Sequence, residues 1–436
     1  MDFIGRKEEL LVLDEEYELS KRTARFTIVF GRRRIGKTSL IQKSLDGKKH
    51  LYVLAKNEAE ATFCSRLQQQ IETELAIPVF GRLQTMKDVF EVLFKYAATN
   101  HLCLVIDEIQ EFFYVRKSIF ADMQELWDKY KSSMHIDFIA CGSIYSLMKE
   151  LFEDRKQAMY GRITRKIDLK ALKIQELKQV LSRYSPQYKN EDLLCLYAIT
   201  GGIPKYVEMC VERNACNKAS MLQNFCDVTQ PFVGEGSDLM NMEFRREGAV
   251  YYSILSLIAD GKNTISEMES VLQIKISAYL QNLEINYSLI RKVRPLFASE
   301  RSQGIRYRLA DNFLAFWFRF IYPNQNLVVS GRSDMLLRIV EDGYNVFSGK
   351  VLERYFLQKA DEESDWTTTG QWWDSKGENE IDFVACSSLT KKAMLAEIKI
   401  NRNKISLSAL QTKSEKLRPK LKGYDITLHG LSLEDM

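Results

Sequence analysis

The chain has 436 residues, of which 45% are hydrophobic, so two to four domains with a sizeable core are expected and wholesale disorder is excluded. Its 62 basic and 58 acidic residues leave a formal charge of +4, which neither demands nor rules out nucleic acid; a basic surface has to be local. The eight cysteines form no C-x-x-C pair, the four histidines have no metal spacing, the first residues do not read as a signal peptide, and no apolar run approaches membrane-spanning length. The expectation is a reduced, soluble, cytoplasmic protein without a membrane partner.

In chain order, a helix is expected from the Phe3-Ile4-Gly5-Arg6 segment to about Arg22, with Leu10, Leu11, Leu13 and Tyr17 at helical spacing. Phe26-Thr27-Ile28-Val29-Phe30 reads as a buried strand. It leads into Gly31-Arg32-Arg33-Arg34-Ile35-Gly36-Lys37-Thr38, and Ser39 onward reads as the first turns of a helix. This is G-x-x-x-x-G-K-T in its required strand–loop–helix setting. The two glycines let the backbone turn its N–H groups onto phosphate oxygens, and the helix N-terminus adds positive potential. Lys37 suits the β- and γ-phosphates of ATP, and Thr38 suits Mg²⁺.

A second strand is read at 50–54, with amphipathic helices at 58–77 and 85–99. The run 102–108 is a continuous apolar strand ending in Asp107 and Glu108, which fits a parallel sheet covered on both faces. Ligands of such sheets bind at the carboxyl ends of strands. Asp107 is therefore expected to hold Mg²⁺ beside Thr38, and Glu108 to orient the attacking water. A fourth strand, 136–143, ends in Ser143, which either bonds the γ-phosphate or water, or caps the helix expected at 144–152. Arg162, before a fifth strand near 166–169, either stabilises charge on the transferred phosphoryl group or is a solvated surface residue.

These residues resemble the AAA+/STAND superfamily, most closely its archaeal-type ATPase branch. The matching stretches are Phe3–Arg6, Gly31–Thr38, Val105-Ile106-Asp107-Glu108-Ile109-Gln110, Cys141-Gly142-Ser143 and Tyr160-Gly161-Arg162. The resemblance implies an additional-strand P-loop NTPase core over 1–170, a helical lid over 171–240, and ATP bound between them. It implies a finger-like role for Arg162, in its own subunit or on a neighbour in an ATP-dependent homo-oligomer. It places Gly201-Gly202-Ile203-Pro204-Lys205-Tyr206 near the nucleotide, so Lys205 joins the candidates.

Residues 241–325 read as three short helices, a hairpin and an aromatic connector. Thr264 and Glu267 form a capping-box pattern. The expected hairpin strands, 290–293 and 305–309, complete a winged-helix pattern. Its cluster Arg291, Lys292, Arg294, Arg301, Arg306 and Arg308 either meets the phosphate backbone of double-stranded DNA or belongs to an internal packing module. Residues 310–324, dense in aromatics, read as a buried connecting helix, and the same family has a close match there.

In 326–436, an amphipathic helix over 347–356 carries Glu353. Trp372 and Trp373 are read as starting a hairpin, and strands follow at 379–385 and 392–399. Glu397 and Lys399 share a strand face. Asp382 and Glu397 suit a second Mg²⁺ or Mn²⁺, with Glu353 completing the acids and Lys399 positioning a nucleophile. The arrangement resembles the PD-(D/E)XK nuclease fold, with Ile381 where the motif's name has proline. That fold implies either metal-dependent DNA cleavage or a domain kept only for binding or assembly. Two functions therefore stand open: an ATPase acting on DNA, and an ATP-gated switch with a non-catalytic C-terminal domain.

Overall fold

β-branched and aromatic side chains dominate Arg25–Phe30, and they form β1, buried from Phe26 onward. With β2 (Leu51–Leu54), β3 (His101–Asp107), β4 (His135–Gly142) and β5 (Arg165–Asp168) it builds a wholly parallel sheet in the order β2-β3-β4-β1-β5. The register sets Phe30 beside Gly142 and Asp168, so the segments leaving β1 and β4 emerge at one sheet edge. Parallel strands need crossover connections, and helices supply them, including Lys37–Ser44, Met86–Ala97 and Ile119–Tyr130. This is the α/β P-loop fold expected from the sequence.

The computed structural model describes residues 1–244, 248–298, 304–363, 365–375 and 377–436. The chain divides into two compact units, residues 2–170 and residues 171–436 together with Met1. Among the described residues, no helix is long and apolar enough to cross a membrane. All eight cysteines are buried and free.

In the second unit, helices Ile174–Tyr184, Asn190–Thr200, Pro204–Glu212 and Lys218–Cys226 come first. Three further helices, at Ala249–Ala259, Ile265–Leu272 and Ser277–Gln281, precede an antiparallel pair, β6 (Ile290–Val293) and β7 (Arg306–Leu309). The Thr264–Glu267 capping box forms as expected. Arg301 lies outside the described residues. The aromatic connector is buried: Trp317 donates its indole N–H to the Val233 carbonyl at 2.9 Å. A Cβ on Gly236 would stand 2.1 Å from the Trp317 ring, so only glycine admits that ring.

The C-terminal sheet has the order β11-β10-β9-β8. Strand β9 (Glu380–Ser387) runs antiparallel to both β8 (Thr368–Trp373) and β10 (Lys392–Lys399), and β11 (Asp425–Ser432) lies parallel to β10. Two expectations need correction here. The hairpin read from Trp372 and Trp373 is present, but its first strand begins earlier, at Thr368, and the two tryptophans end it. The helix read at 347–356 is part of a 31-residue helix, Ser333–Glu363. Gly343 and Gly349 broke its pattern in the sequence, yet Gly343 is accepted because a Cβ there would press on the Phe320 ring at 2.7 Å. Near its end, Glu362 accepts the backbone N–H of Ile174 at 2.9 Å.

Candidate active site

The loop after β1 closes because its backbone visits conformations that glycine permits. Gly31 has φ 154° and Gly36 has φ 88°. A Cβ on Gly31 would come within 2.6 Å of the Leu169 carbonyl oxygen, so this position excludes any larger residue. Arg34 also takes a positive φ of 69°. Arg6, itself at φ 64°, donates to the carbonyls of Ile35 at 3.2 Å and Lys170 at 2.6 Å. Its buried guanidinium ties the loop to the chain leaving β5.

Lys37, 6% exposed, donates to the loop's own carbonyls, Gly31 at 2.9 Å and Arg32 at 3.0 Å. Burial holds its pKa below the ordinary lysine value, opposed by the nearby Cys141, Glu108 and Asp107. Thr38, in the first turn of the following helix, donates its hydroxyl to Asp107 Oδ2 at 3.0 Å. Asp107, at the end of β3, is 4% exposed. Its other oxygen, Oδ1, accepts the Glu108 backbone N–H at 2.9 Å.

Glu108 leaves the strand in a left-handed conformation, φ 54°, which turns its carboxylate aside from Asp107. Ser143 donates to its Oε2 at 2.8 Å, and Gln110 reaches the same oxygen. Of the two roles open to Ser143, helix capping is not the one adopted. The helix Tyr145–Glu153 has Ile144 at its cap and no side-chain cap bond.

Sequence reasoning missed two contributors to this cluster. Tyr52 on β2 donates to Asp107 Oδ2 at 2.5 Å. Burial and Asp107 push its phenol pKa well above the ordinary range. Gln110 was noticed only as part of a motif. The signal for Tyr52 is the register: it pairs with Val105, two residues before Asp107 and therefore on the same sheet face.

Two candidates are engaged elsewhere. Arg162 is bound to Asp128 at 2.7 Å and to the Tyr160 carbonyl at 2.8 Å. Lys205, in the second unit, pairs with Glu208 at 2.8 Å.

The loop suits a triphosphate by its glycine-only cradle and buried cation. Thr38 and Asp107 present adjacent hard oxygens of the kind Mg²⁺ prefers. Such an ion would neutralise charge on the β- and γ-phosphate oxygens.

In the C-terminal sheet, Asp382 of β9 and Glu397 of β10 lie one step past the paired residues Phe383 and Ala396. Asp382 Oδ2 accepts the Ile398 backbone N–H at 2.9 Å and the Lys399 ammonium at 3.1 Å. Lys399 also reaches Glu397 at 3.6 Å. Burial opposes the lysine's charge, but Asp382 and Glu397 outweigh it and raise its pKa. Glu397 accepts the Ser406 N–H at 2.9 Å. Glu353 takes bonds from Lys350 at 3.1 Å and Gln371 at 2.9 Å. Burial, reinforced by Asp382 against the pull of Lys350, raises its pKa. Among the described residues no three carboxylates, histidines or cysteines form a ready metal cage; an ammonium bridges Asp382 and Glu397 instead.

The wing cluster divides. Arg306 stacks 4.3 Å from the Trp373 ring centroid and pairs with Glu380 at 2.8 Å. Arg291 and Arg294 are exposed.

Comparison with known proteins agrees with the fold. Residues 3–210 match an ATPase domain predominantly from Archaea, and residues 317–414 match archaeal and bacterial proteins of unknown function. An uncharacterized protein of Methanocaldococcus jannaschii is 29% identical over 414 residues, 91% of this chain and 87% of its own length. The Walker-type ATPase of Pyrococcus abyssi shares the fold at 20% identity and TM-score 0.56, covering 73% of this chain and 96% of that one. The Aeropyrum pernix ORC2 protein, solved in ADPNP–ADP complexes, does so at 15% identity and TM-score 0.50, covering 76% and 95%. Sheet order, phosphate loop and the match over residues 3–210 identify that segment as a P-loop ATPase domain of the archaeal type.

Proposed function

We propose that the chain binds Mg-ATP at Gly31–Ser39 and hydrolyses it, and that its wing and C-terminal sheet act on DNA. The observation that carries the first part is the convergence of Lys37, Thr38, Asp107 and Glu108 around one sheet edge, with the Thr38–Asp107 bond at 3.0 Å. Lys37 exchanges its loop carbonyls for phosphate oxygens. Thr38 and Asp107 hold the cation. Glu108, aimed by Ser143 and Gln110, orients and polarises the attacking water. Arg162 meets the γ-phosphate only after leaving Asp128, in its own subunit or from a neighbouring copy. Lys205 has to part from Glu208 to serve the nucleotide. A Glu108→Gln variant is expected to retain ATP and stall hydrolysis; absence of ATP binding by the parent chain sinks the reading.

The DNA part rests on the winged-helix pattern, whose exposed Arg291 and Arg294 suit backbone phosphates. It rests also on the PD-(D/E)XK-like grouping of Asp382, Glu397 and Lys399. Cleavage of duplex DNA with Mg²⁺ or Mn²⁺, lost in Asp382→Ala, supports a nuclease. Equal cleavage by both proteins removes it.

One observation favours the second reading, an ATP-gated switch. Lys399 spans both acids at 3.1 and 3.6 Å, an arrangement that also serves as a structural ion pair. That reading expects ATP turnover with no cleavage under any metal.

A further inference from the structure

Residues 306 and 308 share a face of β7, and the register sets Arg291 directly opposite Arg308. Like charges directly opposite in an antiparallel pair repel. Arg306, on the same face, is neutralised by Glu380 and covered by Trp373. Arg291 and Arg308 have no such partner: among the described residues no carboxylate lies within ion-pair distance of either.

A third guanidinium joins them from the long helix. Arg354 donates to Asn312 Oδ1 at 3.1 Å, and Asn312 is fixed in turn by its bond to the Tyr197 carbonyl at 3.2 Å. Arg354 thus has a neutral acceptor and, among the described residues, no carboxylate within ion-pair distance. Burial, together with the charges of Arg354 and Arg291, lowers the pKa of Arg308 to about 10 against smaller pulls from Tyr197 and Asp361. Burial lowers Arg354 as well, with Arg291 adding to the effect. Two acids face the group at longer range, and both are engaged: Asp361 with Thr369, and Glu353 with Lys350 and Gln371.

Two desolvated guanidiniums, Arg308 and Arg354, with the exposed Arg291 beside them and no counter-charge in ion-pair reach among the described residues, cost the fold stability. A tetrahedral anion would cancel that cost, because its oxygens match the forked N–H donors of several arginines at once. We propose that Arg291, Arg308 and Arg354 form a binding site for a phosphate-class anion, on the face of the β6–β7 pair that carries Arg291 and Arg308, with Arg354 reaching it from the Ser333–Glu363 helix. The ligand is either a free phosphate or pyrophosphate, or one phosphate of a nucleic-acid backbone. The site borders the DNA reading above but stands without it.

The test uses the full chain carrying Lys37→Ala, which removes the phosphate loop's contribution, in nucleotide-free and magnesium-free buffer. Pyrophosphate is titrated in one arm and a short DNA duplex in the other, by calorimetry and thermal shift. Arg291→Gln and Arg308→Gln are each expected to weaken binding in at least one arm by tenfold or more. Arg308→Lys is expected to restore part of the binding. In anion-free buffer Arg308→Gln is expected to melt at or above the parent temperature, which a purely structural arginine would not do.

Loss confined to pyrophosphate identifies a small-anion site and counts against DNA on this face, leaving the ATPase reading untouched. Loss in the duplex arm identifies a backbone phosphate. Unchanged affinity in both arms for both glutamine variants overturns the proposal, as does failure of the parent to bind either probe. Because Arg291 is exposed, its variant remains informative if Arg308→Gln fails to fold.

Discussion

Asp137, the third residue of β4, is 2% exposed and lies between Ile136 and Phe138, paired with Cys103 of β3 and Arg25 of β1. Its Oδ2 accepts the Cys103 thiol at 3.7 Å, and among the described residues its Oδ1 has no hydrogen-bond partner. Burial raises its pKa from the ordinary 3.8 to about 7, against smaller opposing pulls from Cys103, Lys48 and Arg25. The folded chain therefore binds a proton that the unfolded chain releases between those two values. That contribution is complete below about pH 4 and is lost as pH rises through about 7. The gap is worth at most about 4 kcal/mol, and about 2.5 kcal/mol of it falls between pH 5 and pH 8. For a unit of this size that is about 5–10 °C of melting temperature. Asp137→Asn keeps the shape and cannot ionise. Calorimetry across that range, following the transition that ATP shifts, should show the parent falling relative to the variant and the variant more stable at pH 8. Parallel curves would refute the assignment of a neutral buried acid.

Ser143→Ala removes one of the two donors aimed at Glu108 Oε2 and should lower kcat for ATP by about tenfold, at about 1.5 kcal/mol for a hydrogen bond to a charged group, with little change in KM. Gly236→Ala drives a methyl into the Trp317 ring and should destabilise the second unit by about 1–3 kcal/mol, read as an earlier thermal transition with ATP affinity unchanged. Arg162→Ala breaks a pair with Asp128 whose partners are 22% and 36% exposed, a loss of under about 1 kcal/mol in stability. If it serves as the finger, turnover falls by about a thousandfold; unaltered turnover leaves it a surface ion pair.

The first unit was legible because its signals are local. A glycine-edged loop between strand and helix, and acids ending an apolar strand, each lie within a few residues. The loop's own bonds from Lys37 and the Thr38–Asp107 contact follow from that pattern. Tyr52 was not legible, since nothing around it marks a function. Only the parallel pairing of β2 with β3 brings it to Asp107. Arg6 entered through a motif with no role attached, because its acceptors lie 29 and 164 residues away. In the second unit the capping box at Thr264 was readable, being confined to four residues. The helix Ser333–Glu363 was read in part because interior glycines weaken a helical pattern, and tertiary packing against Phe320 decides the matter. β11 escaped notice: its exposure alternates, and its pairing with β10 joins segments over thirty residues apart.

That long helix has a mechanical meaning. At 1.5 Å per residue it is a rod of about 46 Å, and an unbroken rod transmits rotation along its length. One of its last residues, Glu362, holds the start of the helix Ile174–Tyr184; about 14 Å back along the axis stand Glu353, bonded to Lys350 and Gln371, and Arg354, bonded to Asn312. A twist or slide imposed at one grip must re-aim both carboxylate and guanidinium together, so the two proposed C-terminal sites cannot be reset independently.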